Sequence, residues 1–346
     1  MPKISLMIHT ASFDDFLVNQ GINSYFKSLT HCLGFQTFKD FELIYVDTFY
    51  EENKEQFAIV ISSLPFQVKH VPIHVNHRYW YDKGYCYISA AKNTGILYAD
   101  GELLITCDDA EFFPEHLLQT YWTHYENAHY MLAVHKRMNS INLHNEHPSM
   151  PISGDVYVND NRLTSAKNQI LKHKYGSWAY AGTSFSLGDA LVLNGFNEKM
   201  DGCKSLEDCD FGNRLVLLGR NLVTDTEGYF YILEHKSYAD ISGMQWEGSE
   251  VNSPPVYCRK KIENFIAIEN YGMLKCATDL HEIRANQSGI TDKHLKIIQK
   301  ETLFYRHFDP LGKENQDKLT VWLGTPNFNL TKEREELRKG DWKWKI

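Results

Sequence analysis

The run Asp108-Asp109-Ala110-Glu111 closes an apolar stretch, Leu103-Leu104-Ile105-Thr106-Cys107. Carboxylates crowded at the end of a buried strand are costly unless a cation neutralises them. If the backbone stays extended, Asp109 and Glu111 face the same way, because side chains alternate along a strand. Such hard oxygen donors suit Mg²⁺ or Mn²⁺. A solvated acidic turn ahead of a helix near residues 114–118 accounts for the same string equally well. Other groups have types that could act beside it. Glu207-Asp208-Cys209-Asp210 opens a helix, where the helix dipole alone favours acids. His235 follows an aromatic strand, Lys92-Asn93 lies on a helix just upstream of the acidic strand, and Asp47 ends another apolar strand. Taken singly, each is explained more simply as a capping, solvated or core residue.

An alternating pattern of elements would bring these groups together. Short apolar runs at 4–8, 41–46, 68–73 and 103–107 read as strands. Segments 16–33, 55–63 and 89–99 between them have helical spacing of apolar residues. Strands separated by helices imply a parallel sheet covered on both faces. Ligands of such sheets sit beyond the carboxyl ends of the strands, which places Asp47 and the 108–111 acids on one rim. Residues 137–174 are rich in Asn, His, Ser and Pro and read as a long excursion with a short strand near 155–158. A helix ends at Gly195, another spans 206–218 with Gly219 as its stop, and an aromatic strand covers 228–233. Beyond Pro254 the pattern is mostly helical, with clear periodicity at 260–274 and 292–304.

Several of these strings resemble one family in order and spacing. They are Ala91-Lys92-Asn93-Thr94-Gly95-Ile96, then Ala99-Asp100-Gly101-Glu102, then the apolar strand running into Asp108-Asp109-Ala110-Glu111 and Pro114. This is similar to the core signature of glycosyltransferase family 2. Further on, Leu193-Asn194-Gly195-Phe196-Asn197-Glu198 is similar to that family's Gly-Gly-Phe-Asp-Glu element. Glu207-Asp208-Cys209-Asp210-Phe211-Gly212, with Arg214-Leu215, is similar to its Glu-Asp-x-Asp element. The first strand departs from the pattern: it ends Ile8-His9-Thr10-Ala11-Ser12, where the family usually has a Pro-Thr-Tyr-Asn-like run.

The resemblance implies an α/β fold of the GT-A (Rossmann-like) kind, a mixed sheet flanked by helices, with a mostly helical C-terminal extension. Residues 1–250 would form the transferase domain, with 1–115 as the nucleotide-sugar-binding half and 116–250 as the acceptor and catalytic half. Residues 251–346 would be the extension. The implied reaction is a metal-dependent, inverting transfer of a sugar from a nucleotide diphosphate sugar to a glycan or other hydroxyl acceptor. UDP-sugar is favoured over GDP-linked donors. In the implied roles, Asp109, Glu111 and His235 hold Mn²⁺ or Mg²⁺. In a second register Asp108 is the first acid, which puts Ala110 at the second ligand position. Thr10, Asp47, Lys92, Asn93, Asp108 and Asp109 bind the donor, with Asp47 at the base or ribose and Lys92 and Asn93 on the diphosphate side. Asp208 takes the proton of the acceptor hydroxyl as general base, and Glu207 orients the acceptor or the sugar. Trp178, Tyr180 and Trp246 are candidates for stacking on acceptor rings, Trp246 on a loop that includes Gly243 and Gly248.

Composition narrows the alternatives. The 346 residues are 43% apolar and 13% aromatic, too many for a disordered chain. A net charge of −8 argues against a nucleic-acid partner. Seven cysteines without a CxxC pair argue against a zinc ribbon or a thioredoxin-like centre. There is no leader-like start and no run of roughly 20 apolar residues, so a cytoplasmic protein with reduced thiols is expected. The terminal Trp342-Lys343-Trp344-Lys345 suits weak peripheral contact at the inner face of a membrane, although a frayed tail is the simpler account. Two rival functions are a non-catalytic carbohydrate- or nucleotide-binding protein of the same fold and a sugar-nucleotide hydrolase or nucleotidyltransferase. Acids retained at three separate places argue against the first, and Glu207-Asp208 far downstream argues against the second.

Overall fold

The computed structural model describes residues 1–10, 25–78, 81–83, 87–138, 181–193, 220–225, 227–233 and 330–340, with short stretches between 142 and 173 and between 195 and 215. Its first third alternates β1 (Ile4–Thr10), α1 (Tyr25–Gly34), β2 (Phe41–Asp47), α2 (Tyr50–Ile61), β3 (Gln67–Val71), α3 (Ile88–Tyr98) and β4 (Leu103–Cys107). β1 pairs in parallel with both β2 and β4, and β2 with β3. Every residue of β2 and β4 is buried, as is all of β1 except His9, which is half-buried. Near-continuous apolar strands are what a sheet covered on both faces requires. β3 is the edge, half-exposed and carrying Lys69.

The remaining elements are β5 (Glu111–Phe112), α4 (Leu117–Glu126), β6 (His129–Met131), β7 (Val134–Met138), β8 (Asn142–Leu143), β9 (Ile152–Ser153), β10 (Val156–Asn159), β11 (Leu171–His173), β12 (Thr183–Ser186), α5 (Leu187–Val192), β13 (Asn221–Thr224), β14 (Tyr229–Leu233) and α6 (Leu330–Arg338). β12 joins β4 antiparallel, so the central sheet is mixed, with order β12-β4-β1-β2-β3. A second sheet has order β10-β7-β14-β5 and a third β11-β13-β6. The short strand expected at 155–158 is β10. The helix expected at 55–63 starts earlier, at Tyr50, where Glu51 and Glu52 supply the acids of its first turn. The described part of the helix expected at 16–33 begins at Tyr25. Residues 207, 208, 211, 212 and 215 are helical, as the 206–218 pattern predicts. The helices expected at 260–274 and 292–304 and the terminal Trp342 to Lys345 lie outside the described residues. Among the described residues no helix is long and apolar enough to cross a membrane.

Within the C-terminal region expected to be mostly helical, the sequence pattern singles out no helix at 330–338; α6 lies there and packs on α3. Its Arg334 guanidinium donates to the carbonyls of Ile96 at 2.7 Å and Leu97 at 3.1 Å, satisfying acceptors in the last turn of α3. Arg334 and Arg338 also reach Asp100 Oδ1, at 3.2 and 3.1 Å, and Lys69 Nζ meets Asp100 Oδ2 at 2.8 Å. Burial on its own would raise the Asp100 pKa, but the hydrogen bond and charge of Lys69, with Arg338 and Arg334, hold it below the usual carboxylate range. A depressed carboxylate contributes stability above its unfolded pKa and loses it as pH falls through the folded value. Asp100→Asn should therefore melt below wild type at pH 7, by about 1 kcal/mol or less because the group is partly solvated. The gap should close as pH falls below about 4. Thermal melts across that range check it, and a gap that stays constant would remove Asp100 as the source.

Candidate functional site

Strand register builds the acidic rim. Ile8 lies opposite Cys107, so His9 and Thr10 end up beside Asp108 and Asp109. His9 Nε2 sits 3.1 Å from Asp108 Oδ1, and the Thr10 hydroxyl donates to Asp109 Oδ2 at 3.2 Å. Desolvation would raise the Asp108 pKa, but the hydrogen bond and charge of His9, with the charges of Lys92 and His135, hold its carboxyl well below the usual range. Asp108 nevertheless keeps about half of its side chain open to solvent (49%).

Glu111 behaves differently. Ala110 has φ 61°, a left-handed turn, so the backbone between Asp109 and Glu111 is not extended. The expectation that the two acids face one way along a strand is corrected on this point. Glu111 begins β5, opposite Ile232 of β14, and is fully buried. Neither of its carboxyl oxygens has a hydrogen-bond partner of good geometry. Burial first, then the Asp108 charge, pushes its pKa far up, with Asp109 adding to this and the Asp108 backbone and Cys107 thiol offsetting it in part. Among the described residues, Asp108, Asp109 and Glu111 do not bring three ligand atoms within reach of a single ion. Asp108 and Asp109 remain as half-buried carboxylates on the rim. Their hard oxygens suit a hard divalent cation, and the inward turn of Glu111 leaves them as the two described acids open to one.

α3 brings a second pair of acids to this rim. Lys92 is buried, and its Nζ lies 3.2 Å from Glu207 Oε1 and 5.1 Å from the Phe196 ring centre. Burial pulls the Lys92 pKa down, but the charges of Glu207, Asp108 and Asp208 outweigh it and keep the ammonium. Asp208 is half-buried next to Glu207. Asn93 was expected on the diphosphate side and is instead turned inward. Its Oδ1 accepts from Phe196 N–H at 2.8 Å, and its Nδ2 donates to Phe196 O at 2.9 Å and to Glu198 Oε1 at 2.7 Å. At 1% exposure it braces the 195–198 segment. Gly195 adopts φ +68°, and a Cβ there would lie 2.2 Å from Asn93 Oδ1. Gly95 lets α3 approach β1, since a Cβ would meet Met7 Sδ at 3.0 Å. Asp201 caps the other end of α3, accepting from the N–H groups of Ser89 and Ala90 at 2.7 and 2.9 Å.

Asp47, expected at the base or ribose, is also buried and engaged. Its Oδ1 accepts from Phe49 N–H at 2.8 Å, while its Oδ2 meets Asn53 Nδ2 and His70 Nε2, each at 2.9 Å. His235, Trp178, Tyr180 and Trp246 lie outside the described residues. Leu233 N–H donates to Ala110 O at 3.1 Å, which ties the end of β14 to the acidic turn two positions before His235 in sequence. His9 was missed by sequence reasoning. An imidazole one residue past an apolar strand is a weak signal, and its partner depends on register. Glu198 entered only as the last residue of the Gly-Gly-Phe-Asp-Glu-like string and Asp201 was missed, because nothing local marks either as a partner of α3.

No protein-family model matches the sequence, and no curated protein matches it. Among solved structures, the chain is similar to the crystal structure of S. aureus TarS 1-349, at 14% identity and a TM-score of 0.49, over 98% of this chain and 92% of that one. The complex of TarS 1-349 with UDP-GlcNAc gives a TM-score of 0.47 at the same identity and coverage. In a longer S. aureus TarS structure the chain spans 37% of the length, with a TM-score of 0.45. Likeness at this distance does not transfer an activity or a substrate.

Removing one partner of a buried ion pair strands the other charge. Lys92→Met should destabilise the fold by about 3–5 kcal/mol in urea unfolding, and Lys92→Met combined with Glu207→Gln should recover most of that loss. If the single and double variants lose the same amount, the pair is not what the acids depend on.

Proposed function

We propose that this rim binds a nucleotide diphosphate sugar and transfers its sugar to a hydroxyl acceptor with inversion. The observation that carries the reading is Lys92. One buried ammonium, 3.2 Å from Glu207, draws the helix acids and Asp108 at the end of β4 into one electrostatic group. A transferase of this kind needs acids of two sorts: some near the leaving diphosphate, and one on the opposite face of the reacting carbon. Asp108 and Asp109 supply the first and Asp208 the second.

In this proposal Asp208 accepts the acceptor hydroxyl proton as it attacks, giving a single displacement. Glu207, fixed by Lys92, orients the sugar or the acceptor. Asp109, with Asp108, holds a divalent cation, Mn²⁺ or Mg²⁺, whose chemistry is to offset the charge of the departing diphosphate. His235 completes that set, as the resemblance implies. Glu111, turned inward at Ala110 and fully buried, stands outside the ligand set. Thr10 orients Asp109 through its hydroxyl, and Asp47 acts by holding the β2–α2 turn under the base. UDP is the favoured leaving group. Trp178, Tyr180 and Trp246 remain the candidates for acceptor stacking.

Screening nucleotide sugars for metal-dependent thermal stabilisation identifies the donor, since ligands that bind the folded state raise the melting temperature. With the donor in hand, Asp208→Asn should lower turnover by about 10²–10⁴-fold and leave UDP affinity nearly unchanged. Retained turnover would remove Asp208 as the base, and proton NMR of the first-formed product anomer tests inversion. In calorimetric titrations with Mn²⁺ and UDP, Asp109→Ala should abolish metal-dependent binding, whereas Glu111→Gln should keep it. Loss in both variants would return Glu111 to the ligand set.

A further inference from the structure

Away from the acidic rim, three buried groups converge between the sheet domain and α6. His74 precedes the 3-10 turn Val75–His77 that follows β3, and His77 closes it. Glu333 comes from α6, 256 residues further along the chain. A ligand atom from each of His74, His77 and Glu333 lies within 4.8 Å of the other two, and all three residues are buried. The turn is tied to α3, because His74 N–H donates to Thr94 Oγ1 at 3.1 Å. A second layer stands behind the cluster. His77 Nδ1 is hydrogen-bonded to Glu198, whose Oε1 also accepts from Asn93 Nδ2 at 2.7 Å.

We infer that His74, His77 and Glu333 form a divalent metal site of the zinc class, which fastens α6 to the sheet domain. Two imidazoles and one carboxylate are the mixed nitrogen and oxygen donors that Zn²⁺ takes, whereas Mg²⁺ and Ca²⁺ prefer oxygen alone. The two histidines have the H-x₂-H spacing of a single turn. The Glu198 contact matches what metal-bound histidines need: a carboxylate that accepts from the outer ring N–H fixes the tautomer and aims the other nitrogen inward. His77 Nε2 and Glu333 Oε2 are 2.7 Å apart, while tetrahedral bonds of about 2.0–2.1 Å place neighbouring ligand atoms roughly 3.3 Å apart, so these side chains part by about 0.6 Å to admit the ion. The proton they share passes to solvent as the ion replaces it. These three side chains would leave one position of a tetrahedral ion to a further donor.

The test uses the full chain, stripped of metal by chelator and then freed of chelator. Titration with Co²⁺ should give the strong visible bands of a four-coordinate ion at one equivalent. Zn²⁺ should displace them and Mg²⁺ should not, and Zn²⁺ should raise the melting temperature. His74→Ala and Glu333→Gln should abolish the bands, Glu198→Gln should weaken binding about 10–100-fold, and Asp109→Ala should leave the bands intact. The site is overturned if wild type retains well under one equivalent of Zn²⁺ after gel filtration, or if His74→Ala and Glu333→Gln bind as wild type does. Where a variant fails to fold by circular dichroism, the wild-type stoichiometry and the zinc-dependent melting shift decide. None of these readouts involves turnover, so they stand or fall apart from sugar transfer.

Discussion

A buried ammonium at Lys92 holds together what charge repulsion would separate. The acids at the end of β4 and those at 207–208 are about a hundred residues apart in the chain, and unscreened carboxylates do not gather in a protein interior. Lys92 is almost fully buried, at 2% side-chain exposure, and three carboxylates balance the cost of taking its charge out of water. The rest of the architecture follows from that requirement. α3 must be covered on every side, and it is: by β1 beneath, by the 195–198 segment beside it and by α6 above.

Neighbouring positions of α3 divide the work. Lys92 faces the acids, Asn93 clamps Phe196 and Glu198, and Gly95 allows close approach to Met7. The clamp also links two regions that look separate along the chain. Glu198 accepts from Asn93 and is bonded to His77, so the His74–His77–Glu333 cluster lies two contacts from the residue next to Lys92. A hydrogen-bonded chain from α6 through Glu333, His77 and Glu198 thus ends on α3 at Asn93, next in sequence to Lys92.

The acids at the strand end are not equivalent. Asp108 is kept ionised by His9, Lys92 and His135 against its own burial, whereas Glu111 is driven toward its neutral form by burial and by Asp108. Environments that push neighbouring pKa values apart give similar groups different tasks. Here the Asp108 carboxyl on the rim is pushed down and the buried Glu111 carboxyl is pushed up, so the two acids of one turn meet opposite environments.

Much of this was legible in the sequence. The runs that became β1, β2 and β4 are apolar because both faces of the central sheet are covered, and a continuous apolar run is a local signal. The Lys92-Asn93-x-Gly95 spacing and the acids at 108–111 and 207–208 were visible for the same reason. Partner choice is not local, and the tertiary structure alone decided it. Register placed His9 beside Asp108, and the left-handed turn at Ala110 sent Glu111 into the interior. Asn93 and Asp47 look like ligand contacts by type, but their polar atoms are consumed by Phe196, Glu198, Asn53 and His70. α6 has two apolar residues, Leu330 and Leu337, too few to reveal a buried face, and its other buried side chains, Glu333 and Arg334, meet groups more than 230 residues away. Composition and periodicity show which residues are able to be buried or charged, while long-range packing determines which of them remain available for chemistry.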